Sequence, residues 1–145
     1  MVTSRFAVGI HILSLLEINK DTVNTSDFLA GSVGTNPVVI RRITGMLSKA
    51  GLVDVKPGVA GAKLKKEAAD ITLLDVYRAV NAVEEDALFS VHDSPNPACV
   101  VGRNIQNAIS PIFISAQKAM EDQLASVSIA DVIYDLSQKE KEPLE

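Results

Sequence analysis

The chain has 145 residues, 47% hydrophobic and 4% aromatic, which supports one domain, or one domain with an oligomerisation element, around its own core. No apolar run reaches the ~18 residues of a membrane span and no charged start precedes a cleavage site, so a soluble cytoplasmic protein without a membrane partner is expected. The net charge of -4 hides a split: residues 1–66 carry nine Lys and Arg against four Asp and Glu, and residues 67–145 carry five against fourteen. A basic half joined to an acidic one suits a polyanion-binding face attached to something else.

In chain order, Ser4 to Ile18 reads as a helix opened by Thr3 or Ser4. Phe6, Val8, Ile10, Ile12, Leu13, Leu15 and Leu16 wrap around more than one face, so it should be buried on two sides. His11 lies inside it without a partner motif and is assigned no chemistry. A short helix from Thr25 to Ser32 follows, with Asn24 or Thr25 as cap and Asp27 in its first turn. The turn Val33-Gly34-Thr35 then leads to a helix marked at both ends, by Asn36 as cap, Pro37 in the first turn and Gly51 as the left-handed stop. Val39, Ile40, Ile43, Met46, Leu47 and Ala50 gather on one side of it, while Val38, Arg41, Arg42, Gly45, Ser48 and Lys49 form an outer face that is basic and free of acids. Two helices so spaced match a helix-turn-helix, the second being the recognition helix. An ordinary amphipathic helix with a solvated basic face is the rival reading.

After Gly51 the pattern turns alternating, Leu52 to Lys56 and Ala62 to Lys65, around Pro57-Gly58-Val59-Ala60-Gly61. A hairpin there is the wing of a winged helix, and Lys56, Lys63, Lys65 and Lys66 suit backbone phosphates or plain solvent. Thr72 and Asp75 form a capping box flanked by Ile71 and Val76, predicting a helix to about Val83; Ser128 and Asp131 repeat the arrangement for a last helix ending near Ser137. Between them lies a segment acidic at first and then Pro-rich, from Glu84 to Gly102. Arg103 to Ala125 follows with Ile105, Ile109, Ile112, Ala116 and Ala119 in 4-3-4-3 spacing, and Phe113 and Met120 alongside. That stripe suits a helix packed on its symmetry mate, with packing inside one chain as the rival. Pro111 predicts a kink or break near Asn107 to Ser110. The fold class is therefore mainly α: a winged helix-turn-helix over 1–83, a loop over 84–102, a dimerisation helix and closing helix over 103–137, and a frayed charged tail over 138–145.

The blocks Asn36-Pro37-Val38-Val39-Ile40-Arg41-Arg42-Ile43, Lys49-Ala50-Gly51-Leu52-Val53, Ile71-Thr72-Leu73-Leu74-Asp75-Val76-Tyr77-Arg78-Ala79-Val80 and Ser128-Ile129-Ala130-Asp131-Val132 resemble the Rrf-two family of bacterial transcriptional regulators over nearly the whole chain. The resemblance implies a homodimer, a repressor in the main, with one recognition helix per subunit in the major groove of a palindromic site in double-stranded DNA. By position, Thr25 and Ser26 would touch phosphate, Asn36, Val38 and Arg41 would face base edges, and Arg42 and Lys49 would lie nearer the backbone, with Lys56, Lys63 and Lys65 on the wing. The wing shows Gly61-Ala62 where the family pattern has two glycines.

Well-known family members hold an iron–sulfur cluster on three cysteines ahead of the dimer helix, and this chain has only Cys99, at the position of the last. One thiolate cannot supply that ligand set, so no cluster, other cofactor or metal is expected. Cys99 resembles the sensor of the family's single-cysteine branch, a target for oxidants, electrophiles or nitric oxide; the rival is a small buried hydrophobe. No nucleophile–base set or phosphate loop points to an enzyme. Two other functions stay open: a winged-helix module that binds a protein through its acidic half, and a DNA-binding regulator controlled by a small ligand or partner enzyme without thiol chemistry.

Overall fold

The computed structural model describes residues 4–80 and 95–141. Thr3, the run toward Val83, the acidic segment 84–93 and the last residues of the tail lie outside the described residues. Helix α1 (Ser4–Ile18) is the element on which the others assemble, touching α2 (Ser26–Val33) and α3 (Pro37–Lys49) as well as α4 (Leu73–Val80) and α6 (Ile129–Lys141). Ile12, Leu13 and Leu16 are fully buried, which is the two-sided burial its apolar pattern predicts. A Cβ on Gly9 would stand 3.1 Å from Val76 Cγ1, so α1 and α4 approach closely there. Beside that crossing, Phe6 and Tyr77 pack edge to face with centroids 5.5 Å apart. The buried Ser14 hydroxyl donates to its own helix, at 2.8 Å to the Ile10 carbonyl.

The wing is a short antiparallel hairpin, β1 (Val53–Asp54) and β2 (Lys63–Leu64), with Val53 opposite Leu64 and Asp54 opposite Lys63. It is shorter than the alternating runs suggest. Leu52 and Val53 pack into the core and Leu64 packs against it, but Val55 is exposed, and the chain turns at Lys56, whose carbonyl accepts from the Val59 N–H at 3.1 Å. Gly61 has φ +88°, and a Cβ there would lie 3.2 Å from the Asn24 nitrogen, so conformation and packing both require glycine. Ala62 is buried and needs no such freedom.

Both capping boxes form. Asp75 Oδ2 accepts from the Thr72 N–H at 3.0 Å while Thr72 Oγ1 accepts from the Asp75 N–H at 3.1 Å, and Ser128 and Asp131 repeat this at 2.9 and 3.1 Å. The two boxes meet. The Leu73 N–H donates to the Val127 carbonyl at 2.8 Å and the Ile129 N–H to the Ile71 carbonyl at 2.9 Å, an antiparallel bridge that pins the start of α6 to the start of α4. Ile71, Val76 and Ile129 are fully buried, and Ala130 and Ile133 pack against the same core. The sequence groups this last helix with the dimer helix; in the structure it closes the head. It also runs to Lys141, four residues past Ser137, with Lys139 4.0 Å from Asp135 one turn back.

Helix α5 (Val100–Ala125) begins three residues ahead of Arg103, because the Cys99 carbonyl accepts the Arg103 N–H at 2.8 Å. It runs continuously through Pro111, and no break occurs at Asn107 to Ser110. Pro111 and Asn107 are both exposed, on a side of the helix where water can serve the carbonyl that proline deprives of a partner. No residue of α5 is buried.

Candidate nucleic-acid interface

Helix α3 is set by its ends. Asn36 Oδ1 accepts the Val39 N–H at 3.0 Å, Pro37 takes the first position, and Gly51 at φ +81° lets the Leu52 N–H return to the Leu47 carbonyl at 3.0 Å. Ile40, Ile43 and Leu47 are buried, and Val38, Arg41, Arg42, Gly45 and Lys49 are exposed. One position differs from the sequence reading, and another is not assigned by it. Ala50 is exposed because it is the C-cap, past the last buried turn, and Thr44 is buried because it lies about 40° around the helix from Ile40.

Helix α2 is capped by Thr25, whose Oγ1 accepts the Phe28 N–H at 3.1 Å, and it stops at Gly34 with φ +83°. Its N-terminus, the outer face of α3 and the wing enclose a cleft of about 730 Å³. Thr25, Ser26, Arg41 and Lys49 line it, together with Gly45 and Ser48. Asn36, Val38 and Arg42 belong to the same helix start or outer face but lie outside the cleft, and Val38 is 65% exposed. The wing cations stand elsewhere. Lys56 borders a smaller hollow with Thr22 and Val23, while Lys63 and Lys65 border one formed with Glu17 and Lys20. Lys63 Nζ also donates to the Lys20 carbonyl at 2.9 Å, which ties it to the chain ahead of α2.

The site contains two polar residues that outward-face reasoning misses, Asn24 and Thr44, both buried and both lining the cleft. Asn24 Nδ2 donates to the carbonyls of Asn19 at 3.0 Å and Thr22 at 3.3 Å. Asn24 Oδ1 and Thr44 Oγ1 have no hydrogen-bond partner among the described residues. Only the Asn24 cap assignment hinted at either, and it fails because Thr25 takes that place. His11 Nε2 lies 3.0 Å from Ser32 Oγ, a link between α1 and α2.

Cys99 is exposed at the N-cap of α5. The backbone N–H groups of Gly102 and Val101 hold its pKa below the usual thiol value, the first more strongly. The Arg103 guanidinium, one turn on, donates through Nη1 to the Pro97 carbonyl at 3.3 Å. Asn96 Oδ1 accepts the Ala98 N–H at 3.0 Å, and the Asn96 carbonyl presses so closely on Gly102 that no side chain fits there. Along α5, Ile105, Ile109, Phe113, Ala116 and Met120 are half-buried, and Ile112 and Ala119 are exposed.

A capped two-helix unit, a recognition helix with a bare basic face and a hairpin directly after it define a winged helix-turn-helix, a DNA-binding fold. The chain belongs to the Rrf2 family, described as iron-dependent transcriptional regulators, whose model matches residues 2–135. It is 53% identical over 136 residues to YwnA of Bacillus subtilis (strain 168), a proposed HTH-type transcriptional regulator, covering 94% of this chain and 99% of that protein. A crystal structure of a proposed DNA-binding protein is 48% identical with a TM-score of 0.72, covering 90% of this chain and 99% of the other. A proposed transcriptional regulator from Lactobacillus plantarum is 25% identical with a TM-score of 0.78, covering 92% and 90%. The protein is thus a transcriptional regulator by family and not an enzyme.

The iron of the family description meets a poor donor set here. The sequence has one cysteine, and among the described residues no group of three or more His, Cys, Asp or Glu is placed to hold a metal ion. No described helix is long and apolar enough to cross a membrane.

Proposed function

We infer that the protein is a cytoplasmic repressor that binds a palindromic operator as a homodimer, with α3 in the major groove. The observation that carries this is the outer face of α3, where Arg41, Arg42 and Lys49 are exposed and no acid stands among them. Arg41 is the base reader, since a guanidinium can donate two bonds to one guanine; Asn36 and Val38 flank it, and Val38 offers a methyl surface to thymine. Thr25 and Ser26, at the free N–H groups of α2, suit a phosphate, as do Arg42 and Lys49. Lys56, Lys63 and Lys65 add non-specific attraction from the wing.

The dimer rests on α5. A 26-residue helix with no buried residue, and with Ile112 64% and Ile114 69% exposed, leaves apolar surface that a second copy would cover through Ile105, Ile109, Ile112, Phe113, Ala116, Ala119 and Met120. Cys99 is the sensor: its thiolate attacks a peroxide oxygen, giving a sulfenic acid and releasing hydroxide. No iron–sulfur cluster takes part.

Selection of bound sequences from random duplex DNA by the reduced protein, with affinity followed against salt, tests this reading. A palindrome with steep salt dependence is expected; failure to enrich any sequence would favour a protein-binding module instead.

A further inference from the structure

The cleft between α2, α3 and the wing has features that contact with a DNA backbone does not call for. Its walls include Leu29 from α2 and Val55 and Val59 from the wing. Beneath them Asn24 is only 3% and Thr44 9% exposed, and Asn24 Oδ1 and Thr44 Oγ1 are unpartnered among the described residues. Buried polar atoms are nearly always paired, so two orphans just beneath the lining of one cleft suit a ligand able to reach them. The two carbonyls that hold Asn24 Nδ2 fix the amide with Oδ1 as an acceptor. The lining carries two exposed cations, Arg41 and Lys49, neither with an ion-pair partner among the described residues, against one exposed acid, Asp27. A phosphate oxygen would meet an acceptor at Asn24 and leave the apolar walls empty.

We propose that this cleft binds a small amphipathic carboxylate. The apolar body lies between Leu29, Val55 and Val59, a hydroxyl or amide N–H donates to Asn24 Oδ1, and the carboxylate meets Arg41 and Lys49. The Thr44 hydroxyl, which can donate or accept, takes the remaining polar group. The volume of about 730 Å³ falls inside the ~300–1,000 Å³ usual for small-molecule sites. Neither orphan atom is open to solvent in the free cleft, so the ligand reaches them by displacing the wing tip around Val55, Val59 and Ala60, which lies outside the two ladder pairs that join β1 to β2. A bound ligand occupies Arg41 and Lys49 and so excludes DNA. That consequence rests on the DNA-binding reading; ligand binding itself does not.

The test is an amide-resolved NMR titration of the ¹⁵N-labelled full chain, without DNA, using salicylate and N-acetylleucine as probes and inorganic phosphate as control. Saturable shifts at Gly45, Gly61 and Ala62 are expected with both carboxylates. Binding should be roughly tenfold weaker in Thr44→Val, which keeps the side-chain shape and removes only the unpaired hydroxyl. No saturable shift with either carboxylate would overturn the proposal, as would equal binding by Thr44→Val. So would phosphate moving the same amides as strongly, since the cleft would then be a seat for backbone phosphate only. Displacement of a fluorescent duplex by the same probes is the second arm. Probe binding that leaves the duplex bound would sink the DNA role of Arg41 and Lys49 and leave the ligand site standing.

Discussion

At the scale of single residues, the proposed interface gives the neighbouring arginines of α3 different tasks, reading for Arg41 and holding for Arg42. Arg41 borders the cleft and Arg42 does not. Arg41→Ala should weaken binding to the selected site by ~1–3 kcal/mol and relax preference at one base step, whereas Arg42→Ala should weaken all sequences alike and flatten the salt dependence. Affinities for single-base variants of the site separate the two, and a uniform loss in Arg41→Ala would demote it to a phosphate contact. Asn36→Ala also acts through folding: losing the cap on Val39 should lower stability by ~0.5–2 kcal/mol in denaturant unfolding. The caps were legible in sequence because each is a local bond between residues three apart. Thr44 was not, because a hydroxyl flanking a stripe of isoleucines looks outward by residue type and inward only by angle.

At the scale of elements, the start of α5 sets what Cys99 can do. Its exposure and the N–H groups of Gly102 and Val101 favour the thiolate, and the Asn96 to Cys99 turn holds the sulfur at the helix end. A lowered folded pKa means the thiolate fraction near neutrality exceeds that of the unfolded chain. Alkylation by iodoacetamide at neutral pH should therefore be faster for native than for denatured protein, and its rise with pH should be centred below the ordinary thiol range. Gly102→Ala, which forces the Asn96 carbonyl away, should erase that advantage. Oxidant should weaken DNA binding by the wild type and spare Cys99→Ser; equal loss in both would remove the thiol from the mechanism. Helix and wing were legible here through periodicity, but the α4 to α6 bridge was not. Thr72 and Ser128 are far apart in sequence, and nothing in either capping box announces that the other will lie against it. The extent of α6 was missed for a different reason, since a charged run such as Gln138 to Lys141 suits both a frayed tail and a solvated helical end.

At the scale of the whole molecule, the fold separates a head that buries its own core from a helix with no fully buried residue. α1, α3, α4 and α6 share one cluster of fully buried residues, and α5 meets the head mainly through α4, with Arg78 3.9 Å from Glu121. Such a helix is stable in proportion to what covers it, because a single amphipathic helix in water gains little from its own hydrogen bonds. If a second copy is the cover, Ile112→Glu on α5 puts a charge into the shared face without touching the head's core. Sedimentation should then show a monomer in place of a dimer, with the thermal unfolding of the head nearly unchanged. On DNA, one head in place of two contacts about half the phosphates, and the slope of log affinity against log salt should fall by about half. A variant that remains dimeric would move the interface off α5. A variant that becomes monomeric yet keeps the full salt slope would mean that one head alone accounts for the wild-type footprint, and the palindromic operator would have to be given up.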